Sequence, residues 1–466
     1  MQDLSITSLF LISLSISLLI LGGFILRFKL LNLRKIIAKK YLSKLQKQDL
    51  PYTYFSDAVI NESNRKFWRL PPKELTALKR TAMKSVDLSA PFIRNAVKKA
   101  PQNAELLLLD AEICLLTNHQ QDFLHLMEQI RLPAFSPLHL KAGYKLLSSK
   151  SNIYQTDMLS ASENASRALK IYQRLGYLYE EAECYATLAQ IYRISGVFDV
   201  AFTMLKDAKK IYQKLKLFAK VAEAEAYFGL IEIGRENYSA ANEYLESAKT
   251  ICQKHGLTKT EADICNWQGL TALLANDLTA AHKQLTIAYK NTSSLHTRSF
   301  ALELLARLYL KKKEYEKALN NADGALKLYQ ENHHKAGIFE TLYLKAEIFY
   351  IKKDYSKCRH ILTALIKEKT PPSSIYYPAN AYTLLGAVEL KENNLDKART
   401  LFKQAADLEH AQNRLKGAAI DYNNLAELER LNGDKTTAQT YLEQAVRYAE
   451  EIGDDKLKSY LQTKLK

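Results

Sequence analysis

Acidic residues recur at a fixed spacing from residue 183 onward and are the most regular set of reactive side chains in the sequence. Glu183, Glu223 and Asp263 are evenly spaced along the chain, and Glu340 takes the same place in a later copy of the pattern. A column of carboxylates beside apolar positions favours the binding of a segment that carries basic residues. The chemistry these residues indicate is therefore recognition.

No arrangement of residues matches a catalytic or metal-binding pattern. Glycine-rich phosphate loops, the HExxH helix and the GxSxG elbow are all missing from the sequence. The five cysteines form no CxxC pair, and Cys252 and Cys358 have only one nearby histidine each, which is too few ligands for zinc. The sequence predicts no enzymatic activity, no cofactor and no metal site, and it indicates free core thiols in a reducing compartment.

The organising feature of the chain is a repeat with a period of about 40 residues. The small residue Ala189 of the first clear copy returns as Gly229, as Gly269 and, after a shorter step, as Ala306. The pattern occurs seven times, and all the steps are equal except the shorter one between the third and fourth copies. A fixed period of this size predicts an array of helix pairs in which each pair packs on its neighbours.

The pattern resembles the tetratricopeptide repeat (TPR) in a long, 40-residue form. The residues that carry this resemblance in the first copy are Tyr185, Leu188, Ala189, Tyr192, Ala201, Leu205 and Ala208. The resemblance implies an all-α fold, a right-handed α-solenoid of TPR-like helix pairs. It covers roughly residues 70–466, with degenerate repeats at 70–177, seven repeats at 178–453 and a capping helix at 454–466.

In this family the first helix of each pair lines a concave groove, which here is apolar in the middle and acidic along one edge. The partner-binding residues this implies are Glu183, Glu223, Leu230, Ile233, Asp263, Leu270, Leu273, Leu274, Leu310, Glu340, Tyr343, Tyr350 and Leu390. Packing of the groove on itself is the alternative. Chaperone-binding members clamp a C-terminal carboxylate with Lys and Asn at places that here include Ala226 and Leu230, so a co-chaperone role is not expected.

The N-terminal region predicts a membrane anchor at residues 1–27. Residues 6–26 carry no charge and would form a helix roughly 31 Å long, enough to cross the hydrocarbon core. A cleaved signal peptide fits less well, because no basic residue precedes the apolar span, whereas Arg27 and Lys29 follow it at once. The positive-inside rule then places the N-terminus outside and the repeats in the cytoplasm, as a single-pass membrane protein.

A basic block follows the predicted anchor. Residues 27–100 hold 18 Lys/Arg against 5 Asp/Glu, which accounts for most of the net charge of +16. Because residues 101–466 are close to neutral, nucleic acid is not expected as a partner. Residues 28–69 read as a basic juxtamembrane helix and a linker, and the segment 27–47 is predicted to dock on anionic lipid. Its apolar residues share one helical face: Leu30, Leu33, Ile37 and Tyr41.

Together these features predict a membrane-anchored TPR scaffold or adaptor that binds a protein or peptide segment on the cytoplasmic side of a membrane. An assembly factor or regulator of a membrane complex or envelope pathway is the alternative. An organelle import receptor and a secreted effector fit less well, the first because the carboxylate clamp is missing, the second because the basic flank favours retention.

Overall fold

A computed structural model describes Arg94, Val97, Lys98 and residues 104–116, 119–132, 136–155, 157–367, 377–411 and 414–465. Every regular element in these ranges is an α-helix. No helix in the described ranges is both long and apolar enough to cross a bilayer. The predicted anchor at 6–26 and the basic segment at 27–47 lie outside the described residues, so both stay predictions.

The described residues form nineteen helices, most of which have the same length. In chain order they are α1 (Ala104–Leu116), α2 (Gln120–Gln129), α3 (Leu138–Tyr154), α4 (Met158–Leu175), α5 (Leu178–Ile194), α6 (Phe198–Lys214), α7 (Phe218–Gly234), α8 (Tyr238–His255), α9 (Thr258–Leu274), α10 (Leu278–Lys290), α11 (Leu295–Lys311), α12 (Tyr315–Glu331), α13 (Lys335–Ile351), α14 (Tyr355–Lys367), α15 (Tyr377–Lys391), α16 (Leu395–Ala411), α17 (Leu415–Leu431), α18 (Lys435–Glu451) and α19 (Asp455–Leu465).

The chain divides into two compact units, Met1–Ser151 with Glu163–Tyr185, and Asn152–Ser162 with Ala186–Lys466. In the first unit, α1 and α2 form a hairpin. A separate core of that unit joins Ala142 of α3, Ala168 of α4 and Cys184 of α5, all fully buried. The second unit contains the regular repeats.

The second unit is a TPR-like series of helical hairpins, in which each helix packs on the next along the chain from α6 to α19. Two 17-residue helices and two turns of three residues make up the full repeat step, as between the starts of α11 and α13. The one shorter step arises because α10 has only 13 residues. The extra length over the usual TPR step of about 34 residues therefore lies in longer helices.

The turn inside each hairpin repeats one geometry. A residue with positive φ closes each of them: Gly196, Glu236, Asn276, Lys313, Lys353, Asn393 and Gly433. At Glu236 the N–H donates to the carbonyl of Ile233 at 3.0 Å, and the next N–H, of Asn237, donates to the carbonyl of Glu232 at 2.9 Å. This is the Schellman pattern, which satisfies the last carbonyls of a helix. The turn geometry is kept even where a glutamate or lysine must adopt it at a cost of roughly 1–2 kcal/mol.

Small residues set how closely the two helices of a hairpin approach. A Cβ atom on Gly269 of α9 would lie 2.4 Å from Cδ2 of Leu285 of α10, a side chain that is itself fully buried. The facing helices carry Ala241 and Ala281, both without exposed surface. A larger side chain at these positions would separate the helices and open the core.

The joint between one hairpin and the next changes character along the unit. Near its beginning the joint is aromatic, since the rings of Phe202 and Phe228 lie 4.5 Å apart. Near its end the joint is ionic, because Arg399 donates two hydrogen bonds to the buried carboxylate of Glu429, at 2.6 and 3.1 Å. A bidentate pair of this kind fixes orientation as well as distance.

We expect Gly269→Ala to lower the free energy of unfolding of the full chain by up to about 2 kcal/mol. Overpacking against Leu285 costs about 1–3 kcal/mol, and the better helix propensity of alanine offsets about 1 kcal/mol. The control is Gly324→Ala in α12, where the added Cβ would meet only the terminal Cδ1 of Leu302, at 3.1 Å. Urea denaturation measures both variants, and equal midpoints would contradict the close-approach argument.

Candidate functional site

The first helices of successive hairpins contact one another and form one continuous layer. In the second unit α7 packs on α9, α9 on α11, α11 on α13, and α13 on α15. We call the surface of these five helices the inner face. It carries most of the residues predicted to bind a partner.

The predicted apolar residues of the inner face differ widely in exposure. Leu230 and Leu273 are buried, so they belong to the core and are not available to a partner in this conformation. Leu274 is exposed. The remaining apolar members of the predicted set are half-buried: Ile233, Leu270, Leu310, Tyr343, Tyr350 and Leu390. The groove is thus partly packed on itself and partly open, and the predicted binding role of these residues stays a prediction.

The acidic residues predicted for the rim all have partners within the chain. Glu223 pairs with Lys220 on its own helix at 2.9 Å, and the hydroxyl of Thr297 donates to Asp263 at 2.6 Å. Glu183, in the first unit, lies 3.5 Å from the ammonium of Lys150. Burial is the main reason that the pKa of Asp263 is raised, and the Thr297 hydrogen bond opposes it.

Glu340 also has a partner, Arg307, but it belongs to a group in which carboxylates outnumber cations. We call Glu303, Arg307, Glu340 and Glu347 the central acidic cluster. Nη2 of Arg307 lies 3.1 Å from Oε1 of Glu303 and 3.9 Å from Oε2 of Glu340. The hydroxyl of the buried Tyr329 donates to the other oxygen of Glu303 at 3.1 Å. The guanidinium of Arg307 on α11 therefore lies within 3.9 Å of two carboxyl groups, and its charge also acts on that of Glu347 on α13.

The central acidic cluster is only partly open to solvent. The side chains of Arg307 and Glu340 are 38% and 34% exposed, and Glu303 is buried. Burial opposes the rise in the pKa of Arg307 and contributes to the rise in that of Glu340.

The surplus of carboxyl groups changes their protonation. Burial, together with the charge of Glu303 and a hydrogen bond to it, raises the pKa of Glu340 to about 8, although Arg307 opposes the shift. Burial also raises the pKa of Glu347, again against Arg307. The pKa of Arg307 is raised in spite of burial by the three carboxylates around it. Near neutral pH the cluster can therefore hold a proton, or accept a cation in its place.

Glu303 is the residue of this site that the regular spacing missed. It lies one full repeat length after Asp263, but the shorter step makes Phe300 the true equivalent of Asp263. Glu303 stands three residues before the small residue Ala306, as Tyr343 stands three before its own small residue. Counting back from the small residue of each repeat, rather than forward by a fixed period, would have placed Glu303 on the inner face.

The described residues contain no group of three or more His, Cys, Asp or Glu side chains arranged to hold a metal ion. All five cysteines are buried free thiols. Burial raises the pKa of Cys265 to about 11 and that of Cys358 to about 12. These thiols are accordingly poor nucleophiles at neutral pH.

Comparison with known proteins gives similarity in structure alone. No protein-family model and no curated protein sequence matches the chain. A Rap protein complexed with competence and sporulation factor is 16% identical, with a TM-score of 0.49 over 78% of this chain and 100% of that one. The apo quorum sensor NprR from B. thuringiensis is 12% identical, with a TM-score of 0.48 over 75% of this chain and 99% of that one.

A third similar structure is a signal-transduction ATPase with a tetratricopeptide repeat sensor from Pyrococcus horikoshii. It is 15% identical, with a TM-score of 0.48, and the alignment covers 91% of this chain and 67% of that one. These similarities concern the succession of helices, and they identify no ligand for this chain.

The central acidic cluster predicts a pH dependence of stability. A carboxyl group whose folded pKa is raised binds its proton more tightly in the folded state, so stability is lost as pH rises from the unfolded value toward the folded one. For Glu340 this window runs from the ordinary value of 4.5 to about 8. We expect the urea midpoint of the wild type to fall across this window and that of Glu340→Gln to fall less.

Glu316→Gln is the matched control for this measurement. Glu316 is exposed and pairs with Lys352, and its pKa is lowered by the hydrogen bond from that lysine. Its effect on stability is therefore confined to pH values below the ordinary glutamate range. Above that range, the urea midpoint of Glu316→Gln should therefore change with pH as steeply as that of the wild type. If the midpoint of Glu340→Gln also fell as steeply as that of the wild type, the cluster would not hold the proton.

Proposed function

We propose that this protein is a scaffold or adaptor that binds a segment of a partner protein along the inner face. The observation that supports the proposal is an edge of exposed aliphatic side chains that recurs in register. Leu274, Ile351 and Leu431 are 44%, 48% and 68% exposed, and each stands five residues after the small residue of its helix. Leu274 and Ile351 lie on α9 and α13 of the inner face, and Leu431 continues the series on α17, beyond it. We call these three residues the apolar edge.

An apolar edge next to a carboxylate cluster defines the chemistry of the partner. Isolated exposed leucines are common on protein surfaces, but here exposed aliphatic residues recur at one position in alternate repeats, with Lys311 and Lys391 at that position in the repeats between them. Such recurring apolar positions favour interaction. Such a surface suits an amphipathic or extended segment that places apolar side chains on the edge and basic side chains toward Glu340 and Glu347. The residues Leu270, Leu310 and Tyr350 supply half-buried contacts beside it.

We further propose that the chain is held at a membrane by residues 6–26, with its N-terminus outside and the repeats in the cytoplasm. The support is the uncharged span and the basic block that follows it. The segment 27–47 would add contacts with anionic lipid. In this arrangement the array recruits its partner to the cytoplasmic surface of a bilayer.

We expect the double variant Leu274→Glu/Ile351→Glu to recover at least roughly tenfold less partner in affinity purification from solubilised membranes. Losing the burial of even one aliphatic side chain removes about 1.5–3 kcal/mol of binding energy. The control is Val200→Glu, at a position of α6 that is 36% exposed and lies on the second helix of its hairpin. Quantitative mass spectrometry measures recovery, and equal recovery from the double variant would refute binding at the apolar edge.

The membrane proposal has its own test. We expect the full-length chain to resist extraction by alkaline carbonate and a variant lacking residues 6–26 to be extracted. Externally added protease should leave the repeats intact in sealed vesicles whose cytoplasmic side faces inward. Extraction of the full-length chain would refute the anchor without touching the proposal for the inner face.

A further inference from the structure

We infer that the partner segment of the inner face carries its charges in a fixed order, with basic side chains at one end, apolar side chains in the middle and acidic side chains at the other end. The inference rests on the proposed function, because it concerns the same surface. It adds the acidic end of the segment and the residues that would hold that end, Lys312, Lys313 and Lys353. We call these three lysines the basic edge.

The turns that follow α11 and α13 carry a surplus of lysine. Residues 311–317 and 351–357 hold seven Lys against two Glu and one Asp. Each of these acids already pairs with one of the lysines: Glu314 with Lys317, Glu316 with Lys352, and Asp354 with Lys357. The ammonium of Lys311 donates to the carbonyl of Leu273 at 2.7 Å. The lysines that remain are the three of the basic edge, and all three are exposed.

Acidic, apolar and basic groups follow one another along α13. Glu347 comes two helical turns after Glu340, and Ile351 comes one turn after Glu347, so these three side chains share one face of the helix. Lys353 lies in the turn directly beyond it. Glu340 and Lys353 are about 20 Å apart along the chain axis at 1.5 Å per residue. A single helical segment of similar length would span all three groups.

The neighbouring helix α11 has the same order of charge, and the two turns adjoin. Glu303 of the central acidic cluster lies on α11, and Lys312 and Lys313 follow the last residue of that helix. The ion pair of Lys352 with Glu316 joins the turn after α13 to the start of α12. The basic edge is therefore one surface built from two adjoining turns.

A segment with charges of both signs fits this surface better than a uniformly anionic partner such as a lipid headgroup layer. Glu347 and Lys353 are about 9 Å apart along the axis, which is close to the distance of about 8 Å over which physiological salt screens a charge. An anionic surface attracted by the lysines would thus also meet the carboxylates. A segment with one acidic and one basic end meets opposite charge at both places.

The direction of a helical segment follows from the same charges. Acidic residues stabilise the first turn of a helix and basic residues the last turn. The acidic end is therefore the N-terminal one, and it lies over the basic edge at the end of α13. The basic end then lies over Glu340 and Glu347, so the segment runs antiparallel to α13.

Peptide binding to the full-length protein in non-ionic detergent tests the inference. The dipolar peptide is a labelled helix about 20 Å long, with Glu in its first turn, Leu in the middle and Lys in its last turn. The scrambled peptide has the same composition, with Glu and Lys alternating. We expect the dipolar peptide to bind at least roughly fivefold more tightly in fluorescence anisotropy, because only its charges match the surface.

Reversing the charge of the basic edge provides the matched variant. Lys313→Glu/Lys353→Glu is compatible with the turns, because Glu236 has the same positive φ at the equivalent position. We expect this variant to raise the Kd of the dipolar peptide at least roughly tenfold. The control, Lys206→Glu/Lys210→Glu, makes the same charge change at exposed positions of α6 and should leave the Kd unchanged.

Two further measurements separate a direct contact from other effects. A dipolar peptide with Gln in place of Glu should lose its sensitivity to Lys313→Glu/Lys353→Glu, which isolates the pairwise contribution. Mixed micelles that contain phosphatidylglycerol should displace the dipolar peptide no better than neutral micelles. Displacement by phosphatidylglycerol that disappears in Lys313→Glu/Lys353→Glu would instead assign the basic edge to anionic lipid and overturn the inference.

The inference is also overturned if the dipolar peptide binds no better than the scrambled peptide, fails to bind, or binds Lys313→Glu/Lys353→Glu as tightly as the wild type. These results leave the proposed function standing as long as Leu274→Glu/Ile351→Glu still loses its partner. If that variant keeps both its partner and the dipolar peptide, the proposed function fails.

Discussion

The close crossing of two helices over a residue without a side chain, or with only a methyl group, is the contact on which the rest of this structure depends. At Gly269 the space that a Cβ atom would fill is already taken by the side chain of Leu285. This contact fixes the hairpin, and the hairpin fixes which face of each first helix meets the next repeat. Helices of mostly 17 residues and turns of mostly three residues then reproduce the same geometry along the unit. Dispersion and apolar burial follow from that spacing rather than cause it.

A layer built from helices this close together has little room for charge, yet polar bonds cross it repeatedly. Thr297 of α11 binds Asp263 of α9 at 2.6 Å, and Thr383 of α15 binds Asp421 of α17 at 2.7 Å. Burial raises the pKa of Asp421 to about 7, and the charge of Glu409 adds to it. Buried acids of this kind contribute less to stability than their hydrogen bonds suggest, because they also lose hydration. They do set the register between neighbouring repeats, since each accepts a bond from a threonine of the neighbouring first helix.

Much of this fold could be predicted from sequence because it depends on local spacing. The small residues, the regular repeat step and the pairing of helices all follow from contacts between residues close along the chain. The position of the shorter step was also visible, between Gly269 and Ala306. The structural cause of the shorter step was not visible, because the missing residues could have come from a turn or from a helix. The structure places it in α10.

The candidate site was less predictable, because side-chain exposure depends on how each helix is rotated against two neighbours. Leu273 and Leu274 are adjacent in sequence and both were assigned to the groove, yet one is buried and the other exposed. Pattern and period cannot separate two such residues at the margin of a buried stripe. Glu340 of the central acidic cluster was assigned to the rim, but Glu303 was missed for a related reason, since it belongs to the repeat that follows the irregular step.

The surplus of carboxyl groups in that cluster links binding to protonation. With the inner face empty, burial and Glu303 favour a proton on Glu340 at neutral pH. A basic side chain entering the same space would favour the ionised form and displace that proton. The two equilibria are linked, so protonation of Glu340 lowers the affinity for the basic side chain by a certain factor. Binding of that side chain lowers the proton affinity of Glu340 by the same factor. The carboxyl groups that limit stability at alkaline pH are thus the groups that would select a basic partner. A cluster stabilised by a second arginine, or by one acid fewer, would bind a basic side chain more weakly.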